Sequence, residues 1–192
     1  MRIIAGRYRS RSLDAPAGLS TRPTSDRLRE TLFNVLAPRI EAARFLDLYA
    51  GSGAVGLEAL SRGAAHVDFV ERAPAALVAL RKNLERLAIP VGFRIHAASV
   101  AATMRKMKPS PAFNLVFLDP PYDAAEEYAS TLYLLGGAQA ALLAPNALVI
   151  AEHRRKEKLE DRYGRLLRTR VLEQGDAALS FYQSASADKE EA

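Results

Sequence analysis

The stretch Asp47-Leu-Tyr-Ala-Gly-Ser-Gly-Ala-Val-Gly56 decides the fold of this chain. It begins inside an apolar run that is typical of a buried strand, and a helical pattern of apolar residues starts near its end. Gly51, Gly53 and Gly56 fit the pattern G-x-G-x-x-G, in which glycine permits a tight turn and brings backbone N–H groups close to a ligand. The stretch therefore predicts a strand, a ligand-binding turn and a helix in succession.

Strand and helix patterns alternate after this turn, as expected for parallel strands joined by crossover helices. We predict an α/β fold with a Rossmann-like, mostly parallel seven-stranded sheet that is flanked by helices and ends in an antiparallel edge hairpin. A helix over 25–36, ended by Pro38, precedes the sheet. The predicted strands are 44–50, 67–71, 93–97, 113–118, 148–152, 166–172 and 178–182, and the clearest crossover helices are 55–62 and 75–87.

Length and composition indicate one domain, because 192 residues with 49% apolar side chains can bury one sizeable core. We assign 1–183 to it, with a basic extension over about 1–24, and we expect the polar tail 184–192 to be disordered. The chain has no cysteine, which excludes disulfides and thiolate chemistry and fits a cytoplasmic protein. The start lacks the apolar core of an export signal, and glycine, proline and polar residues interrupt the apolar stretch 132–151, so no membrane span is expected.

Positive charge is concentrated at the start of the chain. The formal net charge is +5, and the first eleven residues contain four arginines and no acid: Arg2, Arg7, Arg9 and Arg11. Such a concentration favours binding to a polyanion, because each phosphate contact releases counterions. A solvated basic tail is the alternative interpretation.

A second motif, Asp119-Pro-Pro-Tyr122, follows the most apolar predicted strand. The two prolines stiffen the backbone and offer no N–H donors, so the groups left for a ligand are acceptors. The Asp119 carboxylate and the Pro120 carbonyl can both accept hydrogen bonds from one exocyclic amine, while the Tyr122 ring can stack on the base that carries it. A strand-ending turn without a ligand is the alternative for this motif.

Two carboxylates near the glycine turn indicate the kind of cofactor. Glu71 lies about 20 residues after Gly51 at the end of the second predicted strand, where a carboxylate can bind ribose hydroxyls. Asp47 would repel a pyrophosphate, but it would attract a cationic amino-acid group. S-adenosylmethionine has such a group and no phosphate, so we predict this cofactor. The open alternative for Asp47 is a structural carboxylate that braces the loop.

Taken together, these motifs resemble the class I S-adenosylmethionine-dependent methyltransferases, and four segments resemble the RsmD family in particular. The resemblance covers nearly the whole chain to about residue 182. It implies methylation of a guanine N2 amine in the 16S RNA of assembling small ribosomal subunits. The segments are 2–13, 22–36, 47–64 and 119–122.

The resemblance also implies roles for individual residues. The expected catalytic residues are Asp119, Pro120 and Tyr122. The expected cofactor-binding residues are Asp47, Tyr49, Gly51, Gly53, Glu71 and Ser99; Ser99 is included because the third strand is followed by Ala97-Ala-Ser-Val100 and lacks the acid that often binds adenine. The expected RNA-binding residues are Arg2, Arg7, Arg9, Arg11, Arg22, Arg27 and Arg29.

Three other functions stay open on the sequence: an amino-directed DNA methyltransferase, a nicotinamide-dependent oxidoreductase and a non-catalytic RNA-binding protein. No separate domain for reading a base sequence is evident, which counts against the DNA enzyme. The three histidines, His66, His96 and His153, lack metal-ligand spacing, so we expect structural roles and no metal. We interpret the charged run 152–161 as a solvated face, and we expect a monomer.

Overall fold

Five parallel strands and three antiparallel strands form one eight-stranded sheet in the computed structural model, which describes residues 1–15, 25–108, 111–121 and 125–185. The parallel strands are β1 (Arg44–Leu48), β2 (His66–Glu71), β3 (Phe93–Ala97), β4 (Phe113–Leu118) and β5 (Leu143–Arg154). The antiparallel strands are β6 (Arg162–Tyr163), β7 (Leu166–Gln174) and β8 (Ala177–Ser184). The helices are α1 (Asp26–Ile40), α2 (Ala54–Ser61), α3 (Pro74–Arg86), α4 (Val100–Lys106) and α5 (Ala125–Gly136), with a 3-10 turn at Ala140–Leu142.

The order of the strands places a crevice between β1 and β4. The sheet runs β3-β2-β1-β4-β5-β8-β7-β6, so the chain builds outward from β1 in one direction and then returns to build outward from β4 in the other. At such a switch point the two following loops diverge and leave room for a ligand at the carboxyl ends of the strands. The glycine turn follows β1 and Asp119 follows β4, so both predicted motifs lie at this crevice.

Helices cover both faces of the sheet, because successive side chains of a buried strand point to opposite faces. On one face Phe45, Phe69 and Phe117 pack with α1, α2 and α3. On the other face Leu46 and Val116 pack with α4 and α5. This two-sided burial explains why the parallel strands read as nearly continuous apolar runs.

The predicted fold is confirmed, with three differences in the elements. The sheet has eight strands rather than seven, because the two-residue β6 pairs with the start of β7. β5 begins at Leu143, earlier than predicted. The prediction that Pro38 ends the first helix is wrong: α1 continues to the buried Ile40, since a proline in the last turn removes only one helical hydrogen bond.

β8 extends to Ser184, and residues 186–192 of the predicted tail lie outside the described residues. Among the helices that the structure describes, none is both long and apolar enough to span a membrane.

Candidate active site

The glycine turn has one open side and one tightly packed side. Gly51 adopts a φ of 57°, and among the residues that the structure describes a Cβ atom placed there would meet no atom within 4 Å. Gly53 precedes α2 with a φ of 82°, and a Cβ atom there would overlap Leu80. A side chain at Gly56 would likewise overlap Phe69, which lies on the neighbouring strand β2. The two later glycines therefore let α2 pack against the sheet, while Gly51 leaves open space where a Cβ atom would lie.

Asp47 lies beneath this turn and braces it. Its side chain is buried, and Oδ2 accepts a hydrogen bond from the Gly56 N–H at 2.9 Å. Burial is the largest effect on the pKa of Asp47 and raises it. The Gly56 hydrogen bond lowers the pKa, the nearby Glu71 raises it, and the three effects together give a pKa of about 7. The structure therefore shows the loop-bracing contact that the sequence left as an alternative. A contact with the amino group of a cofactor stays a prediction.

Glu71 ends β2 and also supports the turn. Its Oε2 accepts a hydrogen bond from the Gly51 N–H at 2.8 Å, and Oε1 accepts from the N–H groups of Arg72 and Ala73 at 2.7 Å each. Glu71 is half-buried, so part of the residue remains exposed to water. These contacts fix the carboxylate beside Gly51, where a ribose would lie if this turn holds a nucleoside.

Asp119 lies on the strand next to Asp47, at the carboxyl edge of the sheet. β1 and β4 pair in parallel with Leu48 beside Leu118, so the residue after Leu118 is level with the start of the glycine turn. Loss of water contact raises the pKa of Asp119 well above its usual range, and the negative charges of Glu152 and Asp47 raise it further. The two motifs thus meet as predicted, and their carboxylates interact electrostatically.

Sequence reasoning missed Glu152 as part of this cluster. The charged-run interpretation predicts that Glu152 is solvated, but the residue is only 4% exposed and lies on β5 next to Ala151, the partner of Leu118. Alternation places it on the same face of the sheet as Asp119. An acid at the end of the apolar run 148–151 was the available signal, because the same pattern identified Asp119.

Tyr49 connects the glycine turn to α5. It has a φ of 62°, a left-handed conformation that is uncommon for a residue with a side chain. Its hydroxyl lies 2.7 Å from Glu127 Oε2 and 2.8 Å from Thr131 Oγ1, both on α5. The hydroxyl is therefore hydrogen-bonded within the protein. We still predict that Tyr49 binds the cofactor, through its ring or its backbone.

Some of the remaining predicted site residues lie within the part of the chain that the structure describes, and others lie outside it. Ser99 accepts a hydrogen bond from the Ala102 N–H at 3.3 Å and so caps α4, at the same edge of the sheet as the glycine turn. Pro120 is buried directly after Asp119. Tyr122 and Arg22 lie outside the described residues.

The predicted RNA-binding arginines differ in exposure. Arg2, Arg7, Arg9, Arg11 and Arg27 are exposed. Arg29 is fully buried, so the expectation that it contacts RNA is wrong for this fold. Its Nη2 donates to the Arg2 carbonyl at 2.5 Å and to Asp26 Oδ1 at 2.9 Å, while Nε lies 3.9 Å from Glu58. The guanidinium binds carbonyl and carboxylate oxygens within the protein, because a buried charge is unfavourable without such partners.

The histidines make contacts within the sheet. His66 and His96 contact the buried Asp68 at 3.1 and 2.7 Å, and His153 lies 2.9 Å from Ser180 Oγ. Within residues 1–15, 25–108, 111–121 and 125–185, no group of three or more histidine, cysteine or acidic side chains is arranged to hold a metal ion.

This strand order, with a glycine turn after β1, an acid ending β2 and Asp-Pro-Pro after β4, defines a Rossmann-like class I methyltransferase fold. A family model described as conserved hypothetical protein 95 matches residues 1–183. The chain belongs to this family, which is the RsmD family that the motifs predicted.

Individual relatives agree with this membership. YlbH of Bacillus subtilis is 36% identical over 184 residues, which are 95% of this chain and 98% of the relative. The ribosomal RNA small subunit methyltransferase D of Haemophilus influenzae is 38% identical over 162 residues, which are 83% of this chain and 81% of the relative. The solved structure of yhhF from Escherichia coli is similar with a TM-score of 0.81 and 35% identity, covering 96% of this chain and 97% of that one.

Proposed function

We propose that this protein transfers a methyl group from S-adenosylmethionine to the exocyclic N2 amine of a guanine in small-subunit ribosomal RNA. The observation that carries the proposal is the meeting of Asp119 with the glycine turn at one edge of the sheet, on the paired strands β4 and β1. The name of the Haemophilus influenzae relative supports ribosomal RNA as the substrate. The resemblance to the RsmD family supports the guanine N2 atom.

The residues around the glycine turn fit this cofactor. Gly51 leaves open space at the turn, Glu71 is held beside it for the ribose, and Asp47 offers a carboxylate to a cationic amino-acid group. A pyrophosphate would meet the Glu71 carboxylate at this edge, together with Asp47 and Asp119, which repel it whenever they are ionised, and this disfavours a nicotinamide cofactor. When bound, S-adenosylmethionine supplies an electrophilic methyl group.

Asp119 and Pro120 fit the acceptor amine. The Asp119 carboxylate and the Pro120 carbonyl can each accept one N–H of an exocyclic NH₂, which orients its nitrogen lone pair toward the methyl carbon. As the nitrogen–carbon bond forms and the sulfur–carbon bond breaks, the amine becomes cationic and then loses a proton. Asp119 stabilises this charge and accepts the proton. A positive charge bound near Asp119 lowers its pKa and so opposes burial and the neighbouring acids, which raise it. The carboxylate can therefore be ionised when the amine becomes cationic.

The exposed arginines of the first eleven residues supply the contact with RNA phosphates. Their exposure leaves their charges available, and Arg27 adds a further exposed cation at the start of α1. We assign residues 1–183 to one methyltransferase domain with this basic extension. We further propose that the protein acts as a monomer in the cytoplasm, where small ribosomal subunits assemble.

The decisive experiment supplies radiolabelled S-adenosylmethionine and small-subunit particles from cells that lack this protein. We expect labelled N2-methylguanosine at one position of the RNA, located by nuclease digestion and mass spectrometry. Duplex DNA is the parallel substrate for the alternative of an amino-directed DNA methyltransferase. Label in DNA and none in ribosomal RNA would contradict the proposal, as would label in neither.

A further inference from the structure

The exposed arginines are carried by a short N-terminal hairpin, residues 1–13, in which Arg2 bridges to Ser12. The hairpin contacts α2 through backbone groups. The N–H groups of Ile4 and Ala5 donate to the two carboxylate oxygens of Glu58, at 2.7 and 3.0 Å. This bidentate contact satisfies two neighbouring donors with one buried side chain.

Ser61, at the last position of α2, makes the second contact with the hairpin. Its hydroxyl donates to the Ala5 carbonyl at 2.5 Å and accepts from the Tyr8 N–H at 3.0 Å. Its carbonyl accepts from the Arg7 N–H at 2.7 Å. Gly6 lies between these bonds with a φ of 82°, and a Cβ atom at this position would overlap the Ser61 carbonyl. The hairpin therefore docks at a distance that only glycine permits.

Buried ion pairs hold Glu58 in place for this contact. Glu58 is fully buried, and its Oε1 accepts from Arg62 Nε at 2.7 Å. The buried Arg29 lies 3.9 Å from its other oxygen and donates to the Arg2 carbonyl, on the same strand of the hairpin as Ile4 and Ala5. The hairpin is thus held from two elements, α1 and α2, by groups that cannot relax into water.

The helix that holds the hairpin, α2, begins directly after the glycine turn. α2 has eight residues from Ala54 to Ser61, so its ends lie about 12 Å apart. Asn83 adds a second connection, because its side chain bonds both backbone groups of Asp14 at 2.7 and 3.1 Å and the Ser52 carbonyl at 3.0 Å. The arginine-bearing segment and the glycine turn therefore share one rigid support.

We infer that Glu58 and Ser61 are positioning residues that hold the arginine-bearing hairpin at a fixed distance from the cofactor turn. The inference rests on the proposed function, in which the hairpin binds RNA and the turn binds the cofactor. Because the docked hairpin is already ordered, RNA bound to it lies near the crevice, and no conformational entropy is lost by ordering the hairpin when RNA binds. Undocking the hairpin should weaken use of RNA and leave the cofactor site intact.

The test compares Gly6→Ala with Gly175→Ala in the full-length protein. Both glycines have positive φ, but a Cβ atom at Gly175 meets nothing within 4 Å in the part of the chain that the structure describes, so this control carries the backbone strain without the overlap. For Gly6→Ala we expect the KM for small-subunit particles to rise about tenfold, which is about 1.4 kcal/mol. We expect kcat at saturating particles and the Kd for S-adenosylmethionine to stay within about twofold of the parent values.

A second pair of variants removes hydrogen bonds without adding bulk. Ser61→Ala loses the bonds to Ala5 and Tyr8, and it should raise the same KM severalfold. Ser130→Ala is its control, since this exposed serine on α5 donates to the Glu127 carbonyl in its own helix at 3.2 Å. Wild-type KM values for both Gly6→Ala and Ser61→Ala would overturn the inference, and so would an equal loss of cofactor affinity.

Failure of the inference can be separated from failure of the proposed function. The triple variant Arg7→Ala/Arg9→Ala/Arg11→Ala removes charge and leaves the docking contacts in place. If the triple variant binds RNA normally, the proposed role of the hairpin in RNA binding is wrong. If it binds weakly while the two docking variants behave as the parent, only the positioning role is wrong.

Discussion

The buried carboxylate of Asp47 accepts a hydrogen bond from the Gly56 N–H at 2.9 Å, across the turn that is expected to hold the cofactor. The same burial raises the pKa of Asp47 to about 7. A group that braces the turn therefore changes its charge near neutral pH, and this has a consequence for the binding of a cationic ligand.

We predict that affinity for S-adenosylmethionine rises with pH up to about 7 and then levels off. Below that pH Asp47 is protonated, and binding a cation beside it requires release of the proton, which costs at most about tenfold in affinity per pH unit. Calorimetric titration between about pH 6 and about pH 8 measures the profile. Asp47→Asn should show a smaller pH dependence, and an unchanged profile in that variant would contradict the assignment.

We predict that Asp119→Asn lowers kcat on the order of 10²- to 10³-fold, because an amide cannot accept the proton that the amine releases. RNA affinity and folding should be retained, since the asparagine has the same shape. Methyl incorporation and RNA binding are measured on the same preparation. Turnover at the parent rate would refute the catalytic assignment.

We predict that Arg7→Ala/Arg9→Ala/Arg11→Ala lowers the salt dependence of RNA binding. Loss of three phosphate contacts should reduce the slope of log affinity against log salt by about 2. The control is Arg155→Ala/Lys156→Ala/Lys158→Ala, three exposed cations from the charged run that we interpret as a solvated face. Equal effects of the two triple variants would mean that RNA binding is not localised to the hairpin.

We predict that Arg29→Ala lowers the free energy of unfolding by about 3–5 kcal/mol, because it leaves the buried Glu58 without one of its cationic partners. Arg27→Ala, at an exposed position of the same helix, should change it by less than about 0.5 kcal/mol. Urea denaturation of both variants measures the difference. Similar stabilities would show that the buried arginine is not part of the core network.

We predict that Tyr49→Phe lowers the free energy of unfolding by about 1–3 kcal/mol, since it removes the hydroxyl shared by Glu127 and the buried Thr131. Tyr133→Phe is the matched control, because the hydroxyl of Tyr133 bonds Glu160 at an exposed site. Thermal unfolding compares the two variants. If the control is destabilised as much as Tyr49→Phe, the contact between Tyr49 and α5 contributes no more to stability than an exposed hydrogen bond.

The sequence was sufficient to predict the parallel sheet and the meeting of its two motifs. Apolar runs and glycine spacing are local signals, and the carboxyl ends of parallel strands must share one edge. These signals predict that Gly51, Glu71 and Asp119 lie at one edge of the sheet. Local signals fail at Pro38, where burial of Ile40 outweighs the local preference to end the helix.

The burial and the hydrogen-bond partners of individual polar side chains could not be predicted from the sequence. Arg27 and Arg29 lie two residues apart in one basic motif, yet one is exposed and the other fully buried, because the helix turns them to opposite surroundings. The burial of Glu152 similarly depends on the strand that pairs beside it.

The amino-acid sequence alone thus determined the order of the elements, the glycine turn and the acids that end the strands, because each depends on neighbours along the chain. Only the tertiary structure decided that Glu58 and Ser61 hold the arginine hairpin, since their partners lie more than 50 residues away in sequence. Such contacts form when distant segments pack together, and no local pattern records which donors and acceptors will then be within hydrogen-bonding distance.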